Sequence, residues 1–198
     1  KLMKNMEELT FFGCTDLVMD VVSESCSKLR YLDLSNSKKI TNCSVDYILK
    51  LTNLEHLKIE RTQITSHGIE MLFQRDSNFE VSNSLQSLCC GLESHHVEFV
   101  PKCFPNLTTL EFFDHEQFSL VPLKELENLT NLGINFAIVH TASSICLEEF
   151  LQAVGPQLIY LKLADFREEE FIDIFRIVAE NCTRLENLVL KIVPFPFK

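Results

Sequence analysis

The sequence predicts an α/β solenoid, a horseshoe segment with parallel strands on its concave side and helices on its convex side. Two observations carry this expectation. One apolar pattern recurs eight times, with 22 to 31 residues between successive copies. Most copies are followed by a stretch in which apolar residues change from strand spacing to helical spacing.

The pattern is apolar, two residues, apolar, one residue, apolar. It opens at Met6/Leu9/Phe11, Leu29/Leu32/Leu34 and Leu54/Leu57/Ile59, and continues at Leu85/Leu88/Cys90, Leu107/Leu110/Phe112 and Leu129/Leu132/Ile134. Leu158/Leu161/Leu163 and Leu185/Leu188/Leu190 complete it. The last two apolar positions are two apart, so in a strand they share one face and the residues beside them point to the other. Helical stripes follow at Leu17/Val18/Val21/Val22, Val45/Ile48/Leu49, Ile69/Leu72/Phe73, Val97/Val100, Leu147/Phe150/Leu151/Val154 and Phe171/Ile174/Phe175/Val178. Thr15, Asn42 and Ser66 are placed to cap the first three helices.

A strand, loop and helix of about 25 residues cannot bury its own apolar face, whereas stacked copies can. The whole chain, 1–198, therefore reads as one domain of about eight repeats. The longer steps contain Arg75–Ser84 and Asn135–Ser144, which read as loops at the strand–helix edges. Neither end shows the polar cap a solenoid needs. Pro194 and Pro196 stop strand pairing after the last copy. The expectation is a piece of a longer array.

Charge narrows the partners. With 18 basic and 28 acidic residues the net charge is −10, which opposes binding to nucleic acid and to an anionic membrane surface. No stretch is long and apolar enough to read as a transmembrane helix. Five glycines leave little room for a glycine-rich phosphate loop or a dinucleotide fingerprint. The eight cysteines fall at repeat-locked positions that want a small apolar side chain, which favours thiols over disulfides.

Several segments resemble the cysteine-containing class of leucine-rich repeat. They are Cys26-Ser27-Lys28-Leu29-Arg30-Tyr31-Leu32-Asp33-Leu34, Ile40-Thr41-Asn42-Cys43 and Asn181-Cys182-Thr183-Arg184-Leu185-Glu186-Asn187-Leu188-Val189-Leu190. In that class one Cys precedes the first Leu by three residues, as Cys26 and Cys182 do, and another follows the strand, as Cys14 does. Cys103 is shifted by one position, and Gln63–Ile69 is similar to the start of a helix in the class. The class is typical of F-box/leucine-rich-repeat proteins, the substrate receptors of cullin-RING ubiquitin ligases. The resemblance therefore implies a leucine-rich-repeat fold, a scaffold for substrate recognition, and a ligase adaptor met through a part outside these residues. Ser37, Thr62, Glu93, His115, Ala137, Phe166 and Val193 stand where the class usually has Cys or Asn after the strand. Most repeats are accordingly expected to lack the internal polar ladder.

Binding of another protein, without catalysis or cofactor, is the function this predicts, in the cytoplasm or nucleus. Two alternatives belong to other classes. Sequons at Asn42, Asn106, Asn128 and Asn181, with an even cysteine count, would suit a secreted or cell-surface recognition module. An acidic horseshoe engulfing a basic enzyme would resemble ribonuclease inhibitor, although the repeats do not alternate between two lengths. His95-His96, near Glu93 and Glu98, does not match a helical zinc motif, and Cys89-Cys90 is not a CxxC pair. No catalytic, cofactor or metal residue is assigned. Arg167-Glu168-Glu169-Glu170 reads as the acidic opening of the last helix.

The expected binding surface is the concave face, where residues alternate with the core. Its candidates are Phe12, Tyr31, Asp33, His56, Lys58, Glu60, Glu111, Phe113, Asn135, Tyr160, Lys162 and Lys191. Aromatic anchors on a rigid sheet dominate interface energetics, which singles out Phe12, Tyr31, Phe113 and Tyr160.

Overall fold

The computed structural model describes residues 3–74, 84–114, 120–136 and 144–193. The chain divides into two compact units, Lys1–Gly91 and Leu92–Lys198. Both are α/β, with strands that pair in parallel and in chain order.

In the first unit, β1 (Glu8–Thr10), β2 (Tyr31–Asp33), β3 (His56–Lys58) and β4 (Ser87–Leu92) alternate with α1 (Asp16–Ser25), α2 (Cys43–Ile48) and α3 (Ser66–Gln74). The middle residues of the sequence triplets face one another across the pairs: Leu9 opposite Leu32, Leu32 opposite Leu57, Leu57 opposite Leu88. Parallel strands joined by crossover helices bring equivalent residues to equivalent heights, so the repeat sets the register.

The first three strands are only three residues long. Gly13, Asn36 and Arg61, each three residues beyond its strand, have φ of 75°, 63° and 53°. Thr10, Asp33 and Lys58 are register partners, so these left-handed residues mark the same place in three successive repeats. The chain turns away from the sheet around these residues. Gly and Asn tolerate this conformation, whereas a longer side chain such as Arg61 costs about 1–2 kcal/mol.

Past that turn, polar side chains join successive repeats. The Asp16 carboxylate accepts the Thr41 N–H at 2.9 Å, the Thr41 hydroxyl at 2.8 Å and the Ser44 hydroxyl. The Asn42 amide donates to Thr65 Oγ1 at 2.8 Å, and its oxygen accepts the Thr65 N–H at 2.9 Å. Two expectations change here. Thr15 and Asn42 do occupy N-cap positions, but neither side chain caps its helix, and Asn42 is drawn instead to the next repeat; Ser66 lies within α3 as its first residue. The polar ladder is also partly kept, because buried Ser37 accepts the Cys14 N–H at 3.1 Å and donates to the Phe11 carbonyl at 3.4 Å.

The second unit holds β5 (Thr109–Asp114), β6 (Asn131–Phe136), β7 (Tyr160–Arg167) and β8 (Asn187–Val193). Its helices are α4 (Val100–Cys103), α5 (Ser144–Val154) and α6 (Phe171–Asn181), with 3-10 turns at Ser94–His96, Val121–Glu125, Gly155–Gln157 and Glu168–Glu170. Between β5 and β6 the 3-10 turn is the only helical element among the described residues. Leu110, Leu132, Leu161 and Leu188 are successive register partners, as in the first unit.

The triplets form the core. From Leu29 to Leu163 all eighteen of their residues are buried, while those of the first and last copies are half-exposed. Each buried Leu, Ile or Phe contributes roughly 1.5–3 kcal/mol of transfer free energy. Val45, Ile48, Leu49, Leu147, Phe150, Leu151 and Val154 are buried as their spacing predicts. The first stripe is misplaced. Met19, Val22 and Cys26 are buried, whereas Leu17 is 81% exposed and Val18 and Val21 are exposed too. The spacing i, i+3, i+7 of the buried set faces the sheet, and the remaining apolar residues lie on flanks of α1 that nothing described covers. Phe175 of the last stripe is likewise exposed, and Ile177 takes its place in the core. The two long inserts fall mainly on 75–83 and 137–143, outside the described residues, but Asn135 and Phe136 belong to β6 and Ser144 opens α5. Among the described residues no helix is long and apolar enough to cross a membrane.

Candidate functional site

Strand alternation sends the candidate residues to the sheet face opposite the core, and parallel register assembles them into rows. In the first unit one row runs Glu8, Tyr31, His56, Ser87 and the next Thr10, Asp33, Lys58, Cys89. In the second unit the rows are Thr109, Asn131, Tyr160, Asn187; then Glu111, Gly133, Lys162, Val189; then Phe113, Asn135, Ala164, Lys191. Each unit thus carries its own candidates in rows on its own strands.

The first surface centres on Tyr31. Its ring lies 5.9 Å from that of His56 and 5.7 Å from the Lys58 ammonium. The Tyr31 hydroxyl reaches Asp33 Oδ2 at 3.5 Å, and Asp33 Oδ1 accepts the Ser35 N–H at 2.9 Å. Burial pulls the Lys58 ammonium pKa down, but the Tyr31 hydroxyl and the electrostatic pull of its neighbours, the Asp33 carboxylate among them, outweigh it, so the net shift is upward and the charge is retained. The Cys89 thiol donates to Glu60 at 3.6 Å. Tyr31, Asp33, His56, Lys58 and Glu60 are all half-buried, held by neighbours and open to solvent on one side. Phe12, beyond the end of β1, is 85% exposed.

The second surface is organised by an absence. Gly133 sits between Glu111 and Lys162 in register, and a Cβ there would lie 2.8 Å from Glu111 Cγ. Because Gly133 has no side chain, Glu111 leans over β6 and meets Lys162 from the strand beyond in an ion pair. Asn131 donates to Thr109 at 3.2 Å in the row before. Phe113 and Tyr160 are half-buried beside them, and exposed Lys191 lies 3.9 Å from Asp165.

Asn135 departs from expectation. It keeps its place on β6, between Phe113 and Ala164, but is only 5% exposed, and its Nδ2 has no hydrogen-bond partner among the described residues. A buried donor left unsatisfied costs about 1–3 kcal/mol, so it is an exception that calls for a reason. Ser35, Ser87, Cys89 and Ala164, also on alternate positions, are buried as well.

Two further polar motifs include a bond to the local backbone. His96 is buried and its Nδ1 accepts the Glu93 N–H at 3.0 Å, while Glu170 accepts the Arg167 N–H at 3.0 Å ahead of α6. The Arg30 guanidinium binds Glu55 through two hydrogen bonds of 2.8 and 2.9 Å just before the strands. Cys14, Cys26, Cys43, Cys89, Cys90, Cys103 and Cys182 are free thiols, and of these Cys14, Cys26, Cys89, Cys90 and Cys182 are buried. Burial pushes the Cys90 thiol up to about 12 and Cys182 up to about 11, so both are protonated and unreactive at neutral pH.

Comparison with models of known protein families and with curated proteins found no match.

Proposed function

We infer that this chain is a leucine-rich-repeat array of the cysteine-containing class that binds another protein through its sheet faces, by recognition rather than catalysis. The observation that carries this reading is the in-register rows of half-exposed aromatic and charged side chains, backed from the second repeat to the seventh by fully buried triplets. Side chains fixed on a packed sheet lose little freedom on association, so their contacts convert efficiently into affinity. Tyr31, Phe113 and Tyr160 are the expected anchors, each worth roughly 2 kcal/mol or more at a true hot spot.

The cysteine placement supports a reducing compartment, cytoplasm or nucleus, because the buried thiols act as small core residues. Two sequons are already committed within the fold: the Asn42 amide to Thr65 and the Asn181 amide to the Ile177 carbonyl at 2.8 Å. Substrate recognition for a cullin-RING ubiquitin ligase is the specific role suggested by the repeat class, with the adaptor held by another part of the protein.

The test is quantitative affinity capture from cell extract with the wild-type chain and with Tyr31→Ser/Lys58→Ser/Phe113→Ser/Tyr160→Ser. A control carries Leu17→Ser/Val21→Ser/Ile172→Ser/Phe175→Ser on the helices. The reading expects proteins that the control retains and the face variant loses. Identical retention by both variants sinks it.

A further inference from the structure

Taking the sheet face of the second unit as the binding surface proposed above, we propose that its first row, Thr109, Asn131, Tyr160 and Asn187, selects a partner segment by an uncharged hydrogen-bonding side chain, the carboxamide of an asparagine or glutamine. Parallel register sets these four residues side by side on β5 to β8. Of the rows given above it is the one without a formally charged side chain. The others hold Glu8, Asp33 and Lys58, Glu111 and Lys162, or Lys191. Thr109, Asn131 and Tyr160 are half-buried and Asn187 is exposed, so the row is open to a partner. Leu110, Leu132 and Leu161, each next along its strand, are fully buried and fix the row in place.

The hydrogen-bonding capacity of this row is only partly used. Asn131 Nδ2 donates to Thr109 Oγ1 at 3.2 Å, which leaves Asn131 Oδ1 as an acceptor. Among the described residues no hydrogen bond reaches that oxygen, the Tyr160 hydroxyl or the Asn187 amide. A partner that covers these groups must bond them, because a polar group buried without a partner is costly. A carboxamide serves both kinds at once. Its NH2 donates to Asn131 Oδ1, and its oxygen accepts from the Tyr160 hydroxyl or the Asn187 amide. A carboxylate has no N–H for Asn131 and brings a charge that nothing in the row balances. The charged pair of the next row, Glu111 and Lys162, is matched within itself. An aliphatic side chain of the same size leaves every group in the row unanswered.

The experiment is selection of a random peptide library displayed on phage against the purified full chain, followed by affinity measurement of synthetic peptides at low and high salt. The proposal expects selected peptides to share an Asn or Gln. Replacing it by Asp, Glu or Leu weakens binding about tenfold, the scale of one hydrogen bond. Salt leaves the affinity unchanged, because no charge is matched in the row. Tyr160→Phe removes only a hydroxyl and Asn187→Ala an exposed amide, neither of them bonded within the described fold, so both variants keep the wild-type urea midpoint. Each weakens the carboxamide peptides about tenfold, and together they erase the preference for Asn or Gln over Leu. Peptides that carry no Asn or Gln, or that Tyr160→Phe and Asn187→Ala do not weaken, overturn the carboxamide row. If those peptides are lost on Phe113→Ala/Lys162→Met, the binding face still stands. Binding to a glycan array that both row variants abolish overturns the peptide ligand in favour of a carbohydrate. A library without any binder sensitive to these substitutions overturns row and face alike.

Discussion

The two units take the same apolar triplet to different ends. In Lys1–Gly91 the first three strands stop after three residues, left-handed Gly13, Asn36 and Arg61 follow three residues later, and the chain beyond them is stitched to the next repeat by Asp16, Thr41, Ser44, Asn42 and Thr65. In Leu92–Lys198 the strands run six to eight residues, and the left-handed residue among those described there, Asp165, sits at a bulge in β7 rather than at a strand end. The triplet dictates that a strand forms and which way it faces. The residues after it dictate how far the strand runs, and hence how many rows of side chains the face can carry. The long strands give the second unit a third row, Phe113 to Lys191, that continuous pairing carries directly from the second.

Substitutions sharpen this contrast. The largest effect is expected in the second unit, where Phe112 is fully buried at the third triplet position: Phe112→Ala should cost about 3–5 kcal/mol in urea denaturation. Leu188→Ala, at the half-exposed last triplet, should cost less than half as much. If the two losses were equal, burial would not be ranking the repeats.

Next comes the polar stitching of the first unit. Asp16→Ala removes the acceptor of three hydrogen bonds and should cost about 2 kcal/mol, with the loss confined to the first unit in hydrogen exchange. Burial acts to raise the Asp16 pKa, but the bonds from Ser44 and Thr41 outweigh it and hold the carboxyl below its ordinary 3.8. A carboxyl depressed on folding contributes stability above its unfolded pKa and loses it as pH falls through the folded value. Wild type should therefore lose more stability than Asp16→Ala on acidification below about pH 4. A parallel pH profile for the two proteins would show that the network carries no linkage.

A smaller effect isolates the turn. Gly13 has open space where a Cβ would lie, so Gly13→Ala should cost roughly 1 kcal/mol through backbone strain alone. An unchanged midpoint would mean that the left-handed turn does not end the strand. Thiol labelling perturbs the fold least and reads its burial directly. Cys43 is exposed and should react first in the native protein, whereas Cys26, Cys90 and Cys182 should wait for denaturant. Rapid labelling of Cys90 would contradict the core position given to it.

Much of this was legible in the sequence. Eight triplets predicted eight parallel strands, and the register found between them puts the middle residue of each triplet opposite its counterpart in the next within each unit. The candidate face followed from period-two alternation. What escaped depends on neighbours that are distant in sequence. Nothing local marks Asn42 as a link to Thr65 rather than a cap, or Gly133 as the gap that lets Glu111 reach Lys162. Arg61 carries none of the usual signature of a left-handed turn, and only its alignment with Gly13 and Asn36 reveals one. Leu17, Val18 and Val21 are apolar, and composition alone could not tell the flank of α1 from its buried stripe.

The central claim is that the sheet faces, not the apolar flanks of the helices, meet the partner. Photo-crosslinking tests this most directly, with benzoylphenylalanine placed singly at Tyr31, Tyr160, Leu17 and Ile172 of the full chain in cells. Discrete adducts from Tyr31 or Tyr160, and none from Leu17 or Ile172, are the result predicted. Adducts from Leu17 or Ile172 with silence at both tyrosines would contradict the account.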